Sequence, residues 1–331
     1  MGRTVVVTGG SAGTGLAIAY AFARRGASIG LLARGKDRLE AAAGNLRALG
    51  TRVTAVSADV ADPEQLERAA SQIENELGPI SVWVNNAMVS AFGPYQKLSA
   101  AEYKRVTEVT YLGQVYGTGA ALRRMQPRGE GSIVLIGSAL AYRGIPLQSA
   151  YCGAKHAIHG FFETLRAELI EANSGVHLAM VQLPAMNTPQ FEWVKNYMSR
   201  KPRPMGTVYQ PEVAAEAVVD VVRTKSRERI VGASTLEAIW GNKLFPGLMD
   251  QYLAITGYEG QLTSEAEEPG RPDNLWEPVA GDYGIHGTFG AEAKQRTFTQ
   301  WMSSHKRLGL AASLGLLVAA SVAFGALRKG R

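Results

Sequence analysis

Short apolar runs alternate with segments of helical periodicity through the first 185 residues, and this alternation limits the possible folds more than any other feature. The runs are almost continuously apolar, as strands buried on both faces of a sheet must be. Strands that alternate with helices favour a parallel sheet, and right-handed crossovers leave few arrangements besides a doubly wound one. We therefore predict an α/β fold in which helices cover both faces of a doubly wound parallel sheet. Its strands are Arg3–Thr8, Ala27–Ala33, Arg52–Ala58, Ile80–Val84, Ile133–Ile136 and Val176–Leu183, with a candidate seventh at Arg229–Gly232.

Composition and charge exclude several classes of protein. Hydrophobic residues make up 46% of the chain, enough for a sizeable core, and the single cysteine excludes a disulfide framework and a cysteine-rich metal site. Of the net charge of +6, five Lys or Arg in residues 305–331 contribute +5, which leaves +1 for the first 304 residues. A nucleic-acid interface needs basic residues on the folded domain, so we predict no nucleic-acid partner. We also predict no bound metal.

A glycine-rich turn follows the first strand and opens the first helix. It reads Thr8-Gly9-Gly10-Ser11-Ala12-Gly13-Thr14-Gly15. Glycines let the backbone turn tightly and approach a pyrophosphate, and the free N–H groups of a helix N-terminus bind anions. The alternative is an ordinary strand-to-helix turn, but this strand–turn–helix context favours a dinucleotide site.

A tyrosine and a lysine lie four residues apart on a predicted helix, at Tyr151 and Lys155. This spacing places the phenol and the ammonium on one face, and a nearby cation is expected to lower the pKa of the tyrosine. Ser138 follows the fifth strand, at the sheet edge where parallel sheets present ligands. Such a tyrosine is a usable acid/base, although a solvated surface pair is the alternative.

Taken together, these motifs resemble those of the short-chain dehydrogenase/reductase family, over residues 1 to about 232. The glycine spacing resembles the TGxxxGxG pattern of its compact single-domain branch, a Rossmann fold. Three further motifs are similar to family motifs in the expected order: Asp59-Val60, Asn85-Asn86-Ala87 and Pro184…Thr188.

The resemblance implies a nicotinamide-dependent oxidoreductase that acts on an alcohol or ketone carbon. It implies that Tyr151 exchanges the hydroxyl proton, that Lys155 lowers the tyrosine pKa and binds the nicotinamide ribose, and that Ser138 holds the substrate oxygen. Dimers or tetramers, and so a homo-oligomer, are also implied. The implied cofactor-binding residues are Gly9, Ser11, Gly13, Thr14, Gly15, Arg34, Asp59, Val60, Asn86, Ala87, Tyr151, Lys155 and Thr188.

This sequence departs from the family pattern at three positions. Thr110 stands where the family has a fourth catalytic residue, an Asn; Met88 and Ala185 replace glycines. A threonine hydroxyl can bind water but lacks the two donors of an amide, so we assign Thr110 to the catalytic set with its relay in question. The alternative function is a membrane-tethered cofactor-binding scaffold or sensor with weakened catalysis.

The end of the second strand indicates the cofactor. An acidic residue there would accept the ribose hydroxyl of NAD, but the sequence is Leu32-Ala33-Arg34-Gly35-Lys36. Arg34 can pair with a 2′-phosphate, which favours NADP over NAD unless Arg34 is simply solvated. Cys152, between Tyr151 and Lys155, is interpreted as a small buried hydrophobe.

The resemblance also implies that the segment after the sixth strand, Met186–Tyr209, closes over the substrate. Its aromatic and methionine side chains either line an apolar pocket, which favours a lipophilic substrate, or pack on the core. Its basic residues also allow an anionic head group. The side chains concerned are Phe191, Trp193, Tyr197, Met198 and Met205, and the basic residues are Lys195, Arg200, Lys201 and Arg203.

Beyond the catalytic domain, which we assign to residues 1–257, the sequence changes character. Residues 258–304 are rich in Pro, Gly and acids and form either a linker or an arm laid over the core. Residues 308–327, within 305–331, form an uncharged run about 30 Å long as a helix, which predicts a C-terminal membrane anchor or a helix docked on a partner subunit. With no secretory signal apparent and NADP as cofactor, we expect a membrane-associated protein whose catalytic domain is cytoplasmic.

Overall fold

The computed structural model describes residues 3–297, and a parallel sheet of seven strands lies at its centre. The strand order is β7-β6-β5-β4-β1-β2-β3, and every neighbouring pair is parallel. This is the expected doubly wound Rossmann arrangement, with its switch point between β1 and β4. The strands are β1 Thr4–Thr8, β2 Ser28–Ala33, β3 Val53–Ser57, β4 Ile80–Asn85, β5 Gly131–Ile136, β6 Val176–Gln182 and β7 Glu228–Ile230.

Helices cover both faces of the sheet. The N-terminus of α3 is capped by Asp62, and that of α4 by a capping box between Ser99 and Glu102. A π-helical turn, Thr107–Leu112, joins α4 to α5 in one continuous helical stretch. The helices are α1 Gly13–Ala23, α2 Lys36–Arg47, α3 Pro63–Leu77, α4 Ala100–Val106, α5 Gly113–Met125, α6 Ser149–Glu171, α7 Gln190–Trp193, α8 Pro211–Thr224, α9 Ala233–Leu244 and α10 Pro246–Thr256.

Two hydrophobic cores lie on opposite faces of the sheet. Alternate residues of β1 point to opposite sides: Val5 and Val7 belong to one core and Val6 to the other. The first core is completed by α1, α2 and α8, and the second by α3, α5 and α6. Because both faces are buried, the strands are apolar at nearly every position, which explains the continuous runs in the sequence.

The chain continues past α10 along the surface of the domain. The strand Leu262–Ala266 pairs antiparallel with Arg200–Pro202, and Leu275 is fully buried in the second core. Residues 267–294, called the arm below, therefore pack against the domain. Within residues 3–297 there is no helix with the length and apolar character needed to cross a membrane. The predicted anchor helix, residues 308–327, lies outside the described residues.

Candidate functional site

The backbone of the glycine-rich turn adopts a conformation that requires glycine. Gly9 and Gly13 have φ of +65° and +53°, in the left-handed region. A Cβ on Gly15 would lie 2.2 Å from the carbonyl oxygen of Gly9, so only glycine allows this close approach. The turn leads directly into α1, whose first residue is Gly13, and it forms a cradle for a group that must contact the backbone.

A cleft of about 180 Å³, called the glycine-turn cleft below, lies beside this turn at the carboxyl ends of the strands. It is lined by backbone and side chains from the turn, from the ends of β2 and β3, and from the segment after β4. The structure thus brings together eleven of the predicted cofactor-binding residues: Gly9, Ser11, Gly13, Thr14, Gly15, Arg34, Asp59, Val60, Asn86, Ala87 and Thr188.

A larger cavity of about 510 Å³ adjoins this cleft, and it contains Ser138, Tyr151 and Lys155. Several residues line both spaces, among them Thr14, Asn86 and Thr188, so a molecule in the cleft can reach the larger cavity. Most of the other lining side chains are apolar. We call this space the catalytic cavity.

The side chains of Tyr151 and Lys155 lie on one face of α6. The lysine Nζ is 5.5 Å from the centre of the tyrosine ring and donates a hydrogen bond of 2.7 Å to the carbonyl oxygen of Ile136, at the end of β5. Lys155 is 2% exposed, and this burial lowers its pKa to about 7. A fixed lysine beside the phenol agrees with the predicted arrangement.

The pKa of Tyr151 differs from the expectation. Burial raises it above its usual value, and a hydrogen bond with Ser138 lowers it but does not offset the burial. Lys155, which is itself buried with a lowered pKa, does not bring about the predicted lowering. Tyr151 in this structure is therefore a protonated phenol at neutral pH, in the same cavity as Ser138.

Comparison with known proteins identifies the family. A profile of short chain dehydrogenases matches residues 3–197. An uncharacterized oxidoreductase of Bacillus subtilis is 30% identical over 331 residues, which cover 99% of this chain and 91% of the relative. The chain belongs to the short-chain dehydrogenase/reductase family.

Other relatives and solved structures agree. The 3-dehydrosphinganine reductase of Danio rerio is 33% identical over 231 residues, which cover 66% of this chain and 68% of the relative. An alcohol dehydrogenase from the archaeon Thermococcus sibiricus, solved with 5-hydroxy-NADP, superposes with a TM-score of 0.60 at 28% identity. That match covers 70% of this chain and 95% of the archaeal one. A short-chain dehydrogenase from Streptomyces avermitilis gives a TM-score of 0.64 at 25% identity, over 78% and 98% of the two chains.

Thr110, which replaces the family's asparagine, does not line either space as the other predicted residues do. It is fully buried in the π-helical turn, where its hydroxyl donates to the carbonyl oxygen of Val89 at 2.8 Å and accepts from the N–H of Val89 at 3.1 Å. The hydroxyl has a single proton to donate, and the carbonyl oxygen of Val89 accepts it. Thr110 thus fixes the segment after β4 to the helix, in contrast to the direct role that we assigned to it.

Arg34 lies in the cleft as predicted, but it also holds the arm. Its guanidinium donates to the carbonyl oxygens of Trp276, at 2.6 Å, and Asn274. Burial lowers the pKa of Arg34, and the positive charge of Arg105 lowers it further. An anion in the cleft would relieve both effects, which fits a phosphate group.

The sequence analysis allowed for an arm over the core, but it missed Arg38 and the part that the arm plays in the cleft wall. Arg38 lines the cleft and donates to the carbonyl oxygens of Gly281, at 3.0 Å, and Val279. Its guanidinium carbon lies 4.6 Å and 5.0 Å from the ring centres of Trp193 and Tyr283. The arm supplies part of the cleft wall through Asn274, Pro278 and Val279.

The segment over the catalytic cavity divides between the two predicted roles. Phe191, Trp193 and Met205 line the cavity, whereas Tyr197 and Met198 pack against core clusters. The four basic residues pair with acids at 2.7 to 3.1 Å, so they do not form a free cluster for an anionic head group. The pairs are Lys195–Asp273, Arg200–Glu259, Lys201 with Glu265 and Glu268, and Arg203–Glu292.

Three further observations complete the site. Cys152 is buried, and its pKa is raised to about 11 by burial, so it is an unreactive thiol. The Ser90 hydroxyl, on a residue that is 7% exposed, lines the catalytic cavity without a hydrogen-bond partner in the described part of the chain. Residues 3–297 contain no cluster of side chains suited to hold a metal ion.

Proposed function

We propose that this oxidoreductase uses NADP(H) to interconvert an alcohol and a ketone on a lipophilic substrate. One observation carries the proposal: the Ser138–Tyr151–Lys155 set lies in a largely apolar cavity that adjoins the glycine-turn cleft. Acid/base groups next to a dinucleotide cradle suit hydride transfer at a CH–OH carbon.

The cofactor would be held by the backbone of Gly9–Gly15 at its pyrophosphate, by Arg34 at a 2′-phosphate, and by Asp59 and Val60 beside the adenine. When bound, NADP(H) supplies or accepts the hydride equivalent. The cleft fits the cofactor, because the backbone of Gly9, Gly13 and Gly15 lines it and because Arg34 lies in it with its charge unfavourably buried. The similarity to the archaeal alcohol dehydrogenase that was solved with 5-hydroxy-NADP supports this choice of cofactor.

The protein's own residues move the proton. Tyr151, held protonated by burial, is placed to donate its phenolic proton to a ketone oxygen during reduction. Ser138, which lines the same cavity as Tyr151, orients that oxygen, and Lys155 stabilises the phenolate that remains. The buried Ser90 hydroxyl is available to bind a polar group of the substrate.

Three observations support a lipophilic substrate and a membrane location. The catalytic cavity is large and mostly apolar, and relatives include reductases named for 3-dehydrosphinganine and 3-ketodihydrosphingosine. The uncharged run 308–327 has the length of a membrane anchor. We propose a membrane-tethered homo-oligomer with its catalytic domain in the cytoplasm.

The test is turnover by the full-length protein with a panel of long-chain ketones and either NADPH or NADH. We expect oxidation of NADPH, and we expect Tyr151→Phe to abolish turnover while NADPH affinity stays within about twofold, because only the hydroxyl is lost. Tyr142→Phe is the matched control, because it removes a tyrosine hydroxyl that donates to Glu228 and does not line either space. Cofactor binding with no turnover of any ketone, unrescued by Thr110→Asn, would instead support the scaffold or sensor.

A further inference from the structure

Exposed apolar side chains are concentrated on the last two helices of the domain. Among the described residues, eleven large apolar side chains are exposed, and seven of them fall within 19 consecutive residues. Exposed apolar groups are usually scattered, and a contiguous cluster marks an interaction surface. We call these seven the hairpin patch: Trp240, Leu244, Phe245, Leu248, Tyr252, Ile255 and Tyr258.

The spacing of these residues places them on one surface. Trp240 and Leu244 are four apart on α9, and Leu248, Tyr252 and Ile255 recur at intervals of four and three on α10. The two helices pack closely, since a Cβ on Gly241 would lie 3.2 Å from the sulfur of Met249. The exposed rows therefore lie side by side.

The same two helices form a wall of the catalytic cavity. α9 contributes Glu237 and Ala238 to the lining, and α10 contributes Met249 and Leu253. Tyr252 lines the cavity and is also 54% exposed, so it stands where the cavity meets the hairpin patch. We call the opening of the cavity at Tyr252 its mouth. Any surface that covers the hairpin patch therefore also covers the mouth.

The end of the described chain lies near the start of α9. Lys294 pairs with Tyr209, and a Cβ on Gly232, the residue before α9, would lie 2.9 Å from the Tyr209 ring. Ten residues, 298–307, then precede the uncharged run 308–327. Ten residues span up to about 33 Å, more than the ~18 Å length of α9, so the run can reach the plane of the patch.

We propose that the hairpin patch docks on a lipid bilayer and opens the catalytic cavity to it, so that substrate enters from the membrane. The proposal rests on the proposed function. Charge is sparse: the helices carry only Glu237, Lys243 and Asp250, and Asp250 pairs with Arg143 at 2.5 Å. Lys243 lies 5.5 Å from the Trp240 ring centre, a pairing of base and aromatic suited to a membrane interface. A second protein on the patch would close the mouth at Tyr252, whereas lipid can deliver an apolar substrate through it.

Lipid contact is tested with the full-length protein on phosphatidylcholine vesicles that contain doxyl-labelled lipid. Ile255→Cys and, as matched control, Leu49→Cys are labelled with a fluorophore; both positions are exposed, and the native Cys152 is buried. Leu49 precedes β3, at the sheet edge opposite the cavity. We expect doxyl lipid to quench the label at residue 255 at least about twofold more than the label at 49. Equal quenching of the two labels, or shielding of the label at residue 255 by a second copy of the chain, overturns the proposal.

A second measurement links the patch to substrate. Leu248 and Ile255 do not line the cavity, so they can be changed without altering its walls. The double variant Leu248→Glu with Ile255→Glu should raise the KM for a vesicle-embedded ketone about tenfold or more, because it removes apolar area that would be buried in the bilayer. Turnover of a short water-soluble ketone should stay unchanged. If neither ketone reacts with the wild-type protein, the proposed function fails. If the variant turns over both ketones as well as the wild-type protein does, only the docking proposal fails.

Discussion

The amino group of Lys155 is the most unusual group in the site, because this lysine is 2% exposed and forms no ion pair with a carboxylate among residues 3–297. It donates a hydrogen bond to the carbonyl oxygen of Ile136, and burial lowers its pKa to about 7. The neutral form of this amine is therefore favoured far more strongly in the folded protein than in water. An anionic phenolate at Tyr151, whose ring centre is 5.5 Å from the lysine Nζ, would favour the cationic form of Lys155 again.

The pKa of Lys155 predicts a pH-dependent stability. The pKa is about 7 in the folded protein and near 10.5 when unfolded, so between these values the unfolded chain binds more protons. The free energy of unfolding should rise with pH from 7 to 9, by up to ~1 kcal/mol per pH unit. Urea unfolding at pH 7, 8 and 9 measures this. Lys155→Met should remove the rise, and the exposed Lys104→Met should keep it; an unchanged slope in Lys155→Met would contradict the assignment.

Arg34 is the residue that we expect to favour NADP over NAD. If it binds the 2′-phosphate, Arg34→Ala should weaken NADPH binding by about 10-fold or more, since a charged hydrogen bond contributes ~1.5–3 kcal/mol. NADH, which lacks that phosphate, should lose much less affinity. Titration of both cofactors by fluorescence separates the effects. Equal losses for NADPH and NADH would mean that Arg34 acts only through the arm carbonyls of Asn274 and Trp276.

Among the elements, the π-helical turn Thr107–Leu112 has a clear structural purpose. It places Thr110 where one hydroxyl satisfies both the N–H and the carbonyl oxygen of Val89. Such turns often occur at functional sites, and this one holds the wall of the glycine-turn cleft, to which Val89 contributes. The helix therefore acts on the site through the segment after β4.

Removing this hydroxyl should destabilise the fold. Thr110→Val keeps the shape of the side chain but leaves two buried backbone groups of Val89 without their partner, and we expect a loss of ~1–3 kcal/mol in the free energy of unfolding. Thr110→Ser retains the hydroxyl and should lose less. Urea unfolding at neutral pH compares the three proteins. A Thr110→Val protein as stable as wild type would show that water readily replaces these bonds.

The elements also show what sequence alone can predict. Six strands and the capped helices α3 and α4 follow from local patterns, because burial on both faces and end-capping leave marks within a few residues. The π-helical turn leaves no such mark, and Thr110 could be placed only by motif position. The expected lowering of the Tyr151 pKa is wrong for a similar reason: helical spacing shows that Lys155 is near, but the burial of both groups depends on distant elements.

At the scale of the whole molecule, the arm connects the C-terminal part of the chain to the site. Leu275 is fully buried in the second core, Arg105 donates to its carbonyl oxygen at 3.1 Å, and the N–H of Gly13 donates to Gly284 at 2.9 Å. These contacts join residues more than 150 positions apart. Local sequence patterns encode no such pairings, so they cannot distinguish a linker from an arm in this segment.

The arm should control how fast cofactor binds. The glycine-turn cleft measures about 180 Å³, whereas ligand sites usually need ~300 Å³ or more, and the arm already uses Gly13 and Arg34. If the arm must open first, the observed rate of NADPH binding in stopped-flow fluorescence reaches a plateau as NADPH rises. Leu275→Ala, which loosens the buried attachment by ~2–5 kcal/mol, should raise that plateau about tenfold or more. Ile170→Ala, at an exposed position on α6, should leave it unchanged. A rate that increases linearly with NADPH, and equally in all three proteins, would show that cofactor reaches the cleft with the arm in place.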